Sequence, residues 1–246
     1  LLIERGEQRF LTDPWFRMHM RGLPVFRRPG RRAEDLPPLD AILASHLHPD
    51  HWDDAAVARL VAPPRRVLLP PDGLRHLGRS TPGWDELAPW TSTQIDDVTV
   101  WAVPGPHTFP PPDEVNFILD FPGWGRLFFG GDACFDPRIL REIGRRFRPI
   151  RVALIPVGGT LIFGHRTTMG PEEARDVALV LDADVVVPIH EGGIWMSVPP
   201  LSLHPGRARH LLKAFRRRGE PERVCVLREG ESVEVPASGP LLRVSA

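Results

Sequence analysis

Short apolar runs rich in Val, Ile, Leu and Phe recur along the whole chain, separated by amphipathic stretches. Runs of that length and composition signal strands, and their alternation with helical periods argues for an α/β layering over an all-β or all-α one. The strands expected on this pattern are Leu1–Arg5, Arg9–Thr12, Ala41–Ser45, Arg66–Leu69, Val98–Val103, Val115–Phe121, Arg126–Phe129, Val152–Pro156, Val185–Ile189 and Arg223–Leu227. Helices are expected between them. Asp53 supplies an N-cap carboxylate, Asp136-Pro137 opens a helix over Arg138–Phe147, and Pro171 with Glu172 and Glu173 puts a proline and two acids in a first turn. A further helix, Pro205–Arg217, closes on basic residues.

Other classes are excluded by composition. Pro, Gly or Arg interrupts every apolar run before it approaches the roughly 20 residues of a spanning helix. Cys134 and Cys225 are too few for a disulfide scaffold, and a cytoplasmic location is expected. The 31 basic and 31 acidic residues cancel, which argues against a binder of nucleic acid driven by bulk charge. All but Lys213 of the Lys and Arg residues are arginines. A chain of 246 residues can bury about 70–75% of its unfolded surface, and one domain over 1–246 is expected. It opens on Leu1-Leu2-Ile3, which reads as the middle of a strand, so a trimmed N-terminal strand is expected as well.

The chemistry is concentrated in Ser45-His46-Leu47-His48-Pro49-Asp50-His51, directly after an apolar strand. Histidines are rarely so dense without a metal. Alternation in an extended segment puts His46, His48 and Asp50 on one side of the chain, and a turn at Pro49-Asp50 can swing His51 to a neighbouring position. Further ligands are available in similar settings: His107, Asp132 and His190 each follow the end of an apolar strand, a rigid place from which to aim a side chain.

His46-x-His48-x-Asp50-His51 followed by His107, Asp132 and His190 resembles, in order and approximate spacing, the motif set of the metallo-β-lactamase superfamily. The likeness runs through nearly the whole chain. Leu11-Thr12-Asp13-Pro14-Trp15-Phe16, Asp35–Asp40, Gly158-Gly159-Thr160 and Met169–Ala174 are similar to the branch of ascorbate-6-phosphate lactonase and N-acylphosphatidylethanolamine-hydrolysing phospholipase D. The resemblance implies a four-layer αβ/βα sandwich, two mixed sheets face to face with helices outside and metals at one edge. It implies that His46, His48 and His107 bind a first ion and Asp50, His51 and His190 a second, with Asp132 bridging. A bridging Asp instead of Cys argues against the antibiotic-hydrolysing class and suits phosphodiesterases, lactonases and thioesterases. The implied activity is ester-type hydrolysis, phosphodiester or lactone first, by a hydroxide held between two divalent ions, Zn²⁺ first and Mn²⁺ or Fe²⁺ as alternatives. Asp50 then orients the nucleophile and accepts its proton. A di-iron oxidoreductase-like protein and a catalytically silent metal-binding module are the alternatives.

The remaining candidates have milder signals. The resemblance implies that Asp13 orients a ligand imidazole, with a turn-forming Asp-Pro as the competing reading. His165 and Arg166, on a Gly-flanked loop, are candidates for substrate contact, and His204 ranks after them. Trp52 could wall the site or pack the next helix, and Cys134 reads as a small buried hydrophobe. His19, His76 and His210 sit among arginines and read as surface residues. Between Trp15 and Arg32 six arginines and no acid interleave with Trp15, Phe16, Met18, Met20 and Phe26. That segment is either a solvated loop or a surface for a small, lipid-like anionic substrate. Self-association is compatible with the resemblance.

Overall fold

The computed structural model describes residues 1–17, 28–107, 114–191, 199 and 201–237, together with the backbone of three further strands at 19–20, 23–24 and 242–244. The chain opens with the antiparallel pair β1 (Leu2–Arg5) and β2 (Gln8–Thr12), then two short strands, β3 (His19–Met20) and β4 (Leu23–Pro24). Three parallel additions, β5 (Ala41–Leu43), β6 (Arg66–Leu69) and β7 (Trp84–Glu86), complete a five-stranded sheet in the order β1-β2-β5-β6-β7. The short helices α1 (Asp54–Val57) and α2 (Gly73–Leu77) lie within this half.

The second half is built from β8 (Ser92–Ile95), β9 (Val98–Gly105), β10 (Glu114–Phe121), β11 (Gly125–Phe129), β12 (Ile150–Pro156) and, after two short strands β13 (Leu161–Ile162) and β14 (His165–Arg166), β15 (Ala183–Ile189). These form a six-stranded sheet in the order β15-β12-β11-β10-β9-β8, parallel at one end and antiparallel at the other. Helices α3 (Pro137–Phe147), α4 (Pro171–Val180) and α5 (Ala208–Arg216) belong to it. A small sheet in the order β14-β13-β16 includes β16 (Ser202–Leu203), and β17 (Ser232–Glu234) pairs with β18 (Leu242–Val244).

Side-chain alternation sorts the strands into four layers. Phe10, Ala41, Leu43 and Leu68 of the first sheet pack with Val100, Phe117, Val152, Leu154 and Val187 of the second, in a core between the sheets. Their sequence neighbours point the other way. Leu11, Ile42, Val67 and Leu69 pack with Leu36, Leu39, Trp52 and Val57 on the outside of the first sheet. Ile118, Phe128, Ala153, Ile155 and Val186 pack with Leu140, Ile143, Ala174, Val177, Leu211 and Phe215 of α3, α4 and α5 on the outside of the second. The arrangement is the αβ/βα sandwich.

Local chemistry sets most boundaries. Asp53 accepts the Ala55 N–H and Asp136 those of Arg138 and Ile139, so both are N-caps. At α4 the Glu173 carboxylate accepts the Gly170 N–H at 2.7 Å ahead of Pro171. The last helix starts later than Pro205, at Ala208, because Pro205 and Gly206 belong to the turn before it; a Cβ on Gly206 would meet the Val157 carbonyl. The expected strand Arg223–Leu227 is not formed. Residues 221–223 are a 3₁₀ turn, and Val224 makes an isolated parallel bridge to Val186 while the Cys225 N–H donates to the Val186 carbonyl at 2.9 Å. This stretch caps the free edge of β15 without extending the ladder.

Candidate metal centre

The topology carries five loops to one edge of the sandwich. Asp13 follows β2, the 45–51 stretch follows β5, His107 follows β9, Asp132 follows β11 and His190 follows β15, while Glu114 opens β10 opposite Gly105 of β9. The Val115 N–H donates to the Ser45 carbonyl at 3.0 Å, a bond that joins the two sheets beside the cluster. The turn expected in the histidine stretch is present: the His51 and Trp52 N–H groups both donate to the His48 carbonyl, at 2.9 and 3.0 Å. Asp13 and His190 have positive φ, 40° and 47°, an uncommon conformation for such residues that clusters at functional sites.

All seven residues singled out for metal binding lie here. One potential ligand atom from each of His46, His48 and His107 falls within 4.8 Å of the others, and the same holds for Asp50, His51 and His190. Asp132 stands beside the second group, its two oxygens 3.2 Å from His51 Nε2 and 3.1 Å from His190 Nε2. The His46 ring centre is 4.1 Å from that of His51, so the two groups adjoin.

The tautomers follow from the surrounding partners. Ser45 Oγ donates to Asp13 Oδ2 at 2.8 Å and therefore accepts from His46 Nδ1 at 3.0 Å. His51 Nδ1 donates to the same Asp13 oxygen at 2.6 Å, and the Ser45 N–H donates to Asp13 Oδ1 at 2.8 Å. Both Nε2 atoms are thereby left as lone-pair donors toward the cluster, as a metal requires. Asp13 is thus more than a turn residue.

Electrostatics are strained without a cation. Burial, with His51 beside it, drives His46 well below the ordinary imidazole pKa, and burial lowers His107 too. His51 is also buried, which opposes its charge, but Asp132 and Asp13 carry it well above 6.5. Asp132 is held well below the usual carboxylate range by His190 and His51 in spite of burial. Glu114 is pushed well above that range by burial and by Asp132. His46 Nε2 is buried with no hydrogen-bond partner. Nitrogen and oxygen lone pairs crowded this closely repel unless protons or a cation lie between them, so the donor set fits divalent metal.

Two residues here carried no predicted role. Ser45 was visible only as a hydroxyl beside His46, and Glu114 only as a single acid heading the apolar run of β10. The other candidates have contacts of their own. His165 is exposed on β14, and Arg166 reaches toward Glu173 at 3.7 Å, at the start of α4. His204 is buried with Nδ1 3.1 Å from Thr160 Oγ1. Trp52 packs: it is buried, donates from Nε1 to Asp54 at 2.7 Å and meets Trp84 edge-on. Cys134 is half-buried, its Sγ 3.7 Å from the Arg166 carbonyl. His76 and His210 are exposed, as read from sequence, while the side chains of residues 18–27, His19 included, lie outside the described set.

With this geometry in hand, likeness to known proteins is informative. Residues 8–190 match the family described as the beta-lactamase superfamily domain. A metal-dependent hydrolase of Thermococcus onnurineus is 26% identical over 239 residues, covering 94% of this chain and 93% of its own. An N-acyl-phosphatidylethanolamine-hydrolyzing phospholipase D of Caenorhabditis elegans is 26% identical over 231 residues, 83% of this chain and 65% of the worm protein. A solved metallo hydrolase of Ignicoccus hospitalis shares the fold, with a TM-score of 0.70 at 18% identity over 100% of this chain and 94% of that one. The chain belongs to the metallo-β-lactamase superfamily of metal-dependent hydrolases.

Proposed function

We propose that the chain is a binuclear hydrolase of an ester-type bond, with a phosphodiester or a lactone as the reacting group. The observation that carries this reading is the donor set at the sandwich edge. Five imidazoles converge there with four carboxylates, Asp13, Asp50, Glu114 and Asp132. Their ligand atoms fall into two adjoining groups of three, each within 4.8 Å, with Asp132 beside the second, a donor set that suits two divalent cations more than one.

In this reading His46, His48 and His107 hold one ion, and Asp50, His51 and His190 the other, with Asp132 between them. Zn²⁺ suits the donors, as do Mn²⁺ and Fe²⁺. Bound ions would lower the pKa of a water nucleophile and offset the charge that grows on the substrate oxygen. Asp50, half-buried on the turn of the histidine loop, takes the nucleophile's proton. Asp13 and Ser45 keep His46 and His51 in the required tautomer. His165 is exposed on the β13–β14 hairpin and, in this reading, contacts substrate together with Arg166.

An anionic, partly apolar substrate suits a cavity of about 340 Å³ lined by Phe16, Arg28, Arg31, Arg32 and Arg59, with Glu34 pairing with Arg32 and Arg59 at 3.6 Å. Four guanidinium groups against one carboxylate, beside apolar side chains, suit a phosphate or carboxylate on an apolar body. The nematode relative, named for hydrolysis of a phospholipid, is consistent with this class.

The test is metal content followed by a substrate screen. Purified protein should carry about two ions per chain. Loaded with defined Zn²⁺ or Mn²⁺, it should turn over members of a panel of phosphodiesters, lactones and acyl amides. A protein with two ions and no turnover on any ester-type compound would refute the hydrolytic reading.

A further inference from the structure

Glu114 lies behind the candidate ligands, with its side chain fully buried. Its Oε1 accepts the Asp132 main-chain N–H at 2.8 Å. Its Oε2 is buried without a hydrogen-bond partner and faces two imidazole nitrogens, His107 Nδ1 at 3.5 Å and His46 Nδ1 at 3.8 Å. His46 Nδ1 is already engaged by Ser45 Oγ at 3.0 Å, and the His107 ring also meets the Thr167 backbone, but His107 Nδ1 is the imidazole nitrogen nearer to Glu114 Oε2. Gly131 explains how the carboxylate comes so close. It has φ of 46°, and a Cβ there would fall 2.4 Å from Glu114 Oε1 and 2.8 Å from Ser45 Cβ. The Gly-Gly-Asp sequence is therefore a cradle for a carboxylate as well as a turn.

We propose that Glu114 is a positioning residue for the three-histidine group: its Oε2 accepts from Nδ1 of His107, turning Nε2 to the metal, while its Oε1 anchors the backbone of Asp132. It is the counterpart of Asp13, which does the same for His51. The two outer carboxylates act on different rings: Glu114 on His107, and Asp13 directly on His51 and, through Ser45 Oγ, on His46. The proposal rests on the two-ion reading above. Carboxylates in this position commonly account for 10–100-fold in metal affinity.

The test compares Glu114→Gln with Asp13→Asn by Co²⁺ titration of the apoprotein, read from the visible absorption of the bound ion and by chelator competition. Glu114→Gln keeps the side-chain volume and an acceptor for the Asp132 N–H, so folding is checked by circular dichroism before titration. The expected result is a 10–100-fold weaker uptake of one Co²⁺ equivalent in Glu114→Gln, the one held by the group of His107, and weaker uptake of both in Asp13→Asn, whose carboxylate bonds His51 and, through Ser45, His46. Equal affinities in Glu114→Gln and wild type would overturn the proposal. A measurement without any variant stands beside it: in histidine-labelled, Zn²⁺-loaded wild type, ¹⁵N correlation spectra should show His107 protonated at Nδ1. Metal on Nδ1 and the proton on Nε2 would overturn it equally. Wild type that takes up a single ion would count against the two-ion reading alone, because His107 can be examined at whichever ion its group holds.

Discussion

At the scale of single residues, the site's function is divided between side chains that face the cluster and side chains that hold them. Asp50→Asn removes a proton acceptor while leaving an oxygen donor in place. Activity should fall by about 10²–10⁴-fold with both ions retained, as checked by steady-state kinetics beside metal analysis. Full activity in the metal-loaded variant would exclude Asp50 from proton transfer. Ser45→Ala deletes both the donor to Asp13 and the acceptor for His46 Nδ1. It should weaken metal binding in chelator competition by about 10–100-fold and lower stability by about 1–3 kcal/mol in urea unfolding, since buried partners are left unsatisfied. The 45–51 cluster was legible in the sequence because its residue types have few other reasons to be grouped in that order, whereas Asp13 read equally well as a turn residue until its bond to His51 was in view. Ser45 and Glu114 were not, because their importance comes from what they touch. A serine next to a histidine and an acid heading a strand are common, and only packing put Glu114 Oε1 on the Asp132 N–H, from a position 18 residues away.

At the scale of elements, capping and charge patterns read from the sequence translate directly. Asp136→Ala should cost about 0.5–2 kcal/mol in urea unfolding, because two N–H groups of α3 lose their acceptor. On the same helix, hydrogen bonds from Arg145 and Arg146 lower the Glu142 carboxyl from 4.5 to about 2. A depressed folded pKa means the contribution is complete above pH 4.5 and is lost as pH falls toward 2. The group is solvent-exposed, so the effect on stability is small, but a ¹³C NMR titration should place the Glu142 midpoint near 2, and replacing both arginines by alanine should bring it back near 4.5. The long strands were legible because their apolar residues alternate or run uninterrupted. β7 and β8 were not, since Trp84-Asp85-Glu86 and Ser92-Thr93-Gln94-Ile95 are short and largely polar and form only as additions to a sheet already in place. Arg223–Leu227 shows the converse. Its composition is that of a strand, yet only one residue of it bridges the edge of β15.

At the scale of the molecule, metal and fold should be linked. Removing the ions leaves crowded lone pairs and uncompensated carboxylates at the junction of the two sheets, where Val115 is bonded to Ser45. Chelation should lower Tm, and readdition of Zn²⁺ should restore it, by calorimetry; at free metal 1,000-fold above Kd the linkage amounts to about 4 kcal/mol. An unchanged Tm would mean that the folded chain does not bind the metal preferentially. The arginine-lined cavity makes a separate prediction. Arg28→Ala with Arg31→Ala should raise KM for phosphate-bearing esters while leaving neutral lactones unchanged; equal effects on both would remove the cavity from substrate recognition. Among the described residues no helix is long and apolar enough to cross a membrane.

The sequence by itself determined the alternation of strands and helices, the order of the metal-ligand candidates and the ends of strands from which they project, because each of these depends on local periodicity and residue chemistry. Tertiary structure decided which groups meet. It set the two sheets face to face, brought Asp13, Ser45, Gly131 and Glu114 behind the imidazoles, and fixed the tautomers by hydrogen bonds between residues far apart in the chain. The balance of total charge concealed this arrangement, since a net charge of zero says nothing about four carboxylates and five histidines gathered at one edge. Burial at that edge is what turns ordinary acids and imidazoles into a site that calls for cations.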